Sequence, residues 1–355
     1  MEKNLVVIVY DSILNSVFQG QIVVPLVNKL CNGRYKNGYI ISFENETIDQ
    51  RELTRITCMH PQLNIIVVRR GKFIAPWLLG LQTHKLYKIL KKIPGPYDIS
   101  ARGALAGLLV LKIIKKFPQS TLTVQARGLL AEEYRHEHKH CRGITALLHQ
   151  WRAKQYATIE RLVYGLYSKT FNYTIEAVSA ALEEYLIQTF GTNPACVVRA
   201  IDDIPFIAQP EKIKLWRAAT REKLQLDSTK TVYCFSGAVK TWQDPLLVIN
   251  YFTNLLKKNT NVFLLILTPQ EEQFKKLLQQ HLPESTYFVT AVAHEHVYEY
   301  MAAADVGLIF REPGIISWIS RPVKAMEYEA IGLLVVHNNT VDWLLQRYGT
   351  NRSLQ

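Results

Sequence analysis

Three cations and one carboxylate stand close together late in the chain: Arg311, Arg321, Lys324 and Glu327. They flank a predicted helix whose start is marked by Ser320 and Pro322 and whose end is marked by Gly332. Short apolar runs of strand length, 306–310 and 333–336, lie on either side, so the stretch reads as one βαβ unit with a loop over 311–320. In an open parallel sheet, ligands settle where strands end and helices begin, and phosphates favour the exposed N–H groups of a helix start. A second such place follows the predicted strand 231–235. There Ser236, Gly237 and Ala238 are small enough for the backbone to approach phosphate oxygens, and Lys240 can neutralise them. Together these residues have the chemistry to hold a pyrophosphate with fixed cations and backbone dipoles.

The elements that must position them alternate along the whole chain. Apolar runs at 4–10, 39–43, 64–68, 122–128, 173–178, 231–235 and 262–268 read as strands, with helical stretches such as 22–30, 78–93, 151–165 and 211–224 between them. This alternation predicts an α/β fold with parallel sheets covered on both faces. A chain of 355 residues suits two domains. Pro205 and Pro210 punctuate the expected boundary, giving domains 1–205 and 206–355. A G-x-G-x-x-G fingerprint is missing after the first strand, which argues against NAD or FAD there.

Hydrophobic residues at 48% and charged residues at 20% describe a globular protein rather than a disordered one. The first residues read as no secretory signal, and no apolar run approaches the ~20 residues that cross a bilayer. The five cysteines are scattered, without a C-x-x-C, as expected of free or buried thiols in a reducing compartment. His136, His138 and His140 alternate, but no second ligand cluster at zinc spacing accompanies them, so no metal is expected.

Charge divides the chain. Residues 1–200 hold 26 Lys and Arg against 14 Asp and Glu, whereas the remainder is balanced, so the whole excess of +12 lies in residues 1–200. Such a bias attracts an anionic partner: a lipid surface, nucleic acid or an acidic acceptor. Lys85, Lys88, Lys91 and Lys92 make the helix 78–93 basic, and Phe73 and Trp77 precede it. Segments of this kind lie on anionic membranes, or form a solvated face over a core.

Pro322-Val323-Lys324, Glu327-Tyr328, Ala330 and Gly332, preceded by Ala303-Ala304-Asp305-Val306-Gly307-Leu308, resemble the donor-binding segment of bacterial family-four glycosyltransferases. The resemblance implies a GT-B architecture, two Rossmann-like domains facing a cleft, and retaining transfer of a sugar from a nucleotide-diphospho-sugar to a glycan or lipid-linked glycan. It implies a cytoplasmic enzyme, peripheral on a membrane, with no cofactor and no nucleic-acid partner. In the resembled family, the segment matched by Ser236–Gln243, with Trp242-Gln243, lies under the donor diphosphate. Lys240, Arg311 and Lys324 would meet the charge of the leaving diphosphate. Ser236, Gly237, Gly314 and Ser320 would line the donor, and Glu327 would accept hydrogen bonds from ribose hydroxyls. On the acceptor side the resemblance points to Gly20, to Arg102 and Arg127 in two Ala-Arg-Gly stretches, and to Glu132.

Some positions depart from the family pattern. Ser100 stands where a His is often found, Gln125 where an Asp is often found, and Ile319 where many members carry a second Glu. Members also run on past residue 355 with a final helix, which the domain 206–355 is expected to lack. Two other readings therefore stay open: an inactive GT-B scaffold that binds an anionic partner or membrane, and a nucleotide-sugar epimerase.

Overall fold

The computed structural model describes residues 3–11, 13, 18–48, 50–70, 79–201, 209–238, 243, 245–293 and 296–351. Lys240, Trp242, Phe73 and Trp77 lie outside the described residues. The chain divides into two compact units, 1–201 and 202–355.

The first unit is built on seven parallel strands: β1 (Lys3–Tyr10), β2 (Tyr35–Glu44), β3 (Leu63–Arg69), β4 (Tyr97–Arg102), β5 (Thr121–Ala126), β6 (Thr174–Ala177) and β7 (Val197–Arg199). Their order is β3-β2-β1-β4-β5-β6-β7. Leu5, Val6, Ile8 and Val9 are all buried, because β1 has sheet on both sides and helices on both faces. After β4 the chain turns at Gly103, at φ +80°, into the helix Gly103–Leu111, which is buried at every residue from Ala104 onward. A helix apolar all round belongs in a core. The strand order reverses between β1 and β4, so their carboxyl ends open a crevice there.

The helix Leu79–Lys92 turns Leu79, Gln82, Leu86 and Leu90 inward, so its apolar face is committed to the core beneath it. The next long helix runs over Gly143–Glu160, eight residues earlier than the periodicity predicts. Its first turns carry apolar residues that face solvent, a pattern that does not report a core.

The second unit has five parallel strands, β8 (Thr231–Ser236), β9 (Val262–Leu267), β10 (Tyr287–Thr290), β11 (Val306–Ile309) and β12 (Leu334–His337), in the order β10-β9-β8-β11-β12. Two apolar clusters cover the sheet, one around Cys234, Leu265 and Tyr328, the other around Phe252, Ile266 and Phe274. Its switch point falls between β8 and β11. The 311–320 segment contains a short helix, Ile315–Trp318. The helix after it, Val323–Ala330, starts behind Pro322 and ends before Gly332, at φ +79°, as its sequence signals predict.

Among the described residues no helix is long and apolar enough to cross a membrane. All five cysteines are free.

Candidate functional site

At the switch point of the second unit, Tyr328 ties the end of β8 to the helix Val323–Ala330. Its hydroxyl accepts from the Ser236 N–H at 2.9 Å and donates to the Cys234 carbonyl at 3.3 Å. The ring lies flat against β11: a Cβ on Gly307 would fall 2.2 Å from it. Only glycine leaves room, which gives the Gly307 and Tyr328 of the sequence motif a shared physical reason. Gly237 follows, its N–H donating to the Leu267 carbonyl at 3.0 Å. A side chain on Gly237 would meet Gln243 Oε1 at 2.6 Å. The small residue after β8 is therefore enforced by close packing.

Tyr328 also places its neighbour. Glu327 is 7% exposed, and Lys324 Nζ sits 2.8 Å from its Oε2. The contact has ion-pair distance but not hydrogen-bond direction, and Oε2 is enclosed without a hydrogen-bond donor among the described residues. Tyr298, on the helix Val297–Met301, stands nearby: burial first, then the Glu327 charge, pushes its phenol well above the ordinary range. Burial likewise pushes the Cys234 thiol up to about 12, against the pull of the Lys324 ammonium. Lys324, Glu327, Tyr328, Cys234 and Ser236 thus form one group at the carboxyl end of β8. The Lys324 ammonium is what compensates the buried carboxylate charge.

Arg311, Gly314 and Ser320 occupy the end of the neighbouring strand. The backbone of Arg311 is clamped by Asn338, whose Oδ1 accepts its N–H at 3.1 Å and whose Nδ2 donates to its carbonyl at 2.7 Å. Gly314, at φ +154°, opens the short helix Ile315–Trp318. With Pro313, Trp318, Asn339 and Thr340 it lines an open hollow of about 400 Å³. Ser320 spends its hydroxyl on the Ser317 carbonyl at 2.7 Å and so fixes the turn into the helix Val323–Ala330. Ile319 is 1% exposed; it packs inward and offers nothing to a ligand.

Asp305, at the amino end of β11, is structural. It pairs with Arg217 at 2.5 Å and Arg221 at 2.9 Å and accepts the Val232 N–H at 2.8 Å. Arg221 also donates to the carbonyls of Ala303 and Lys230. Sequence reasoning passed over both arginines, since they sit on an ordinary charged helix.

In the first unit, Arg102 ends β4 and Arg127 follows β5. Burial, and then the Arg127 charge, holds Arg102 down at about 9. Arg102 Nη2 donates to Gln21 Oε1 at 2.5 Å, while its Nη1 is enclosed with no hydrogen-bond partner among the described residues. Arg127 Nη2 donates to Gln125 at 3.2 Å and lies 3.8 Å from Glu176. Gly20 lies beside Gln21 in the helical turn Gln19–Val23 rather than in an open loop. Glu132 does not join this group; it pairs with Arg135 on its own helix. Gln21 and Glu176 had no motif to announce them.

His138 stacks on His149 at 3.9 Å, and Tyr134 hydrogen-bonds the His149 Nδ1 at 2.7 Å. Among the described residues no group of three or more His, Cys, Asp or Glu side chains is arranged to hold a metal ion.

Residues 217–342 match the model of the family described as glycosyl transferases group 1. No curated protein matches the chain. Among solved structures, a glycosyltransferase from Rickettsia africae is similar with a TM-score of 0.66 at 12% identity, over 98% of this chain and 82% of that one. WaaG, a glycosyltransferase involved in lipopolysaccharide biosynthesis, has a TM-score of 0.63 at 12% identity, over 96% and 82%. A trehalose-phosphate synthase (UDP-forming) from Burkholderia vietnamiensis has a TM-score of 0.59 at 8% identity, over 96% and 85%. At these identities the likeness establishes the fold, two Rossmann-like units of the GT-B kind. The family likeness thus rests on residues 217–342 of the second unit, which carry Asp305, Lys324 and Glu327 and are similar to the group 1 glycosyl transferases.

Proposed function

We propose that the chain transfers a sugar from a nucleoside-diphosphate sugar to a glycan or lipid-linked glycan, with retention and without a metal. The observation that carries this reading is the enclosed Glu327 carboxylate beside Lys324 at the end of β8. Ribose hydroxyls would hydrogen-bond the Glu327 carboxylate once Lys324, 2.8 Å from Oε2, turns to the diphosphate. The Arg311 side chain would share its charge as the nucleotide leaves. Lys240 belongs to the proposal by its place in the sequence alone. A fold relative from E. coli was solved bound with UDP-2-fluoro glucose, which supports a donor of this class.

The acceptor is assigned to the first unit. The Arg102 and Arg127 guanidinium groups at the ends of β4 and β5 fit an acceptor bearing a phosphate or carboxylate. Release of UDP or GDP from a panel of nucleotide sugars, with and without oligosaccharide and lipid-linked acceptors, tests the reading. Acceptor-dependent release is the expected result. The inward-packed Ile319 favours a second reading, an inactive scaffold, which would bind nucleotide weakly or not at all and release nothing. Donor consumed equally without acceptor would instead identify an epimerase.

A further inference from the structure

His337 closes β12 only 1% exposed, and both of its ring nitrogens are engaged. Nε2 stands 3.1 Å from the Gly349 carbonyl, which can only accept, so the ring proton sits there. Nδ1 stands 3.3 Å from the Asn339 N–H, which can only donate, so Nδ1 keeps a lone pair. The imidazole is therefore held neutral, in a single tautomer, between two segments of chain. Asn339, at φ +58°, exchanges two hydrogen bonds with the backbone of Asn351, at 2.9 and 3.1 Å. Asn351 Nδ2 in turn donates to the His337 carbonyl at 2.9 Å. The turn after β12 and the segment 349–351 are thus tied together around one ring.

The same turn borders the candidate site. Asn338 and Thr340 hold the Arg311 backbone, and Asn339 and Thr340 line the hollow beside Gly314. The helix Asp342–Tyr348 carries Asp342, Arg347 and Tyr348, and the helix Val323–Ala330 carries Lys324, Glu327 and Glu329. Glu329 is spent on Arg347 at 2.7 Å, Glu327 on Lys324, and Asp342 reaches Gln346 on its own helix. Tyr348 lies with its ring 6.3 Å from the imidazole, and Asp305, at the start of β11, is taken by Arg217 and Arg221. Among the described residues no acidic side chain pairs with His337, and burial holds its pKa below the ordinary range against the pull of the Gly349 carbonyl. A proton placed on Nδ1 would set donor against donor at the Asn339 N–H. We propose that His337 is a proton-operated latch: neutral, it locks the turn 338–341 to the segment 349–351, and protonated it releases both, loosening the clamp on Arg311 and reshaping the hollow. The latch rests on these contacts and not on the sugar-transfer reading.

The closed form binds a proton less readily than the open one. Closure is therefore complete above the ordinary histidine value of 6.5 and is lost as pH falls below it. Hydrogen–deuterium exchange of the full chain, corrected for the intrinsic pH dependence of amide exchange, reads the opening directly. Between about pH 7.5 and about pH 5, residues 338–351 should lose up to about ten-fold in protection per pH unit below 6.5, while β9 keeps its own. His337→Gln takes no proton yet can still donate to Gly349, so its protection should stay constant over that range. No loss in the wild type, an equal loss in His337→Gln, or a loss spread evenly over β9 would each overturn the proposal. Should His337→Gln not fold, the nitrogen shifts of labelled histidines in the wild type decide. One ring should stay neutral with its proton on Nε2 while the others titrate; all 10 titrating at ordinary values would overturn the latch.

Discussion

Glu160 closes its helix 2% exposed, accepting the N–H of Leu130 at 2.6 Å and of Ala131 at 3.4 Å. Burial is the largest influence on it and pushes its carboxyl up to about 8, against those two hydrogen bonds, with Glu133 and Glu132 adding to the rise. The folded state therefore holds the proton to higher pH than the unfolded chain does. The stability this gives is complete below the ordinary glutamate value of 4.5 and is lost as pH rises toward about 8, at roughly 1.4 kcal/mol per pH unit at most. Glu160→Gln should remove that slope. In thermal melts from pH 4.5 to 8, the variant should gain on the wild type as pH rises; a constant difference would contradict the assignment. At this scale the sequence was readable where a motif repeats residue types, as at Lys324 and Glu327. It was silent at Glu160, Tyr298 and Gln21, whose roles come from tertiary neighbours and from no local pattern.

Between elements, the contact of β11 with the helix Val323–Ala330 does the positioning. Gly307 admits the Tyr328 ring, Tyr328 holds the Ser236 amide, and the same turn of helix aims Glu327. Gly307→Ala should cost about 1–3 kcal/mol in urea unfolding, because the core cannot give way around a fully buried ring. Adding Tyr328→Leu should cost less in the Gly307→Ala background than in the wild type, a coupling that a double-mutant cycle reads directly. Strictly additive losses would mean the two residues do not share the space. The spacing of Gly307 and Tyr328 was legible in the sequence, but its steric cause was not. Gly103–Leu111 was hidden for another reason: a helix buried on all sides has no polar face to give it a period. The early turns of Gly143–Glu160 were missed because their apolar stripe faces water, where no rule about cores applies.

Across the molecule, alternation of strand and helix was enough to predict parallel sheets. The order of strands was not, since β1 pairing with β4, and β8 with β11, depends on crossovers that composition does not record. Those two pairings create the switch points at which Arg102 with Arg127, and Ser236 with Lys324 and Glu327, come together. The charge bias was legible and falls wholly on the first unit. Calorimetric titration of UDP and GDP into the full chain in the presence of EDTA tests the core of this account. One of the two should bind without a divalent ion, and Glu327→Ala and Lys324→Ala should each weaken it about ten-fold or more, about 1.4 kcal/mol. Unchanged affinity in both variants, or binding that appears only when a divalent ion is added, would contradict it.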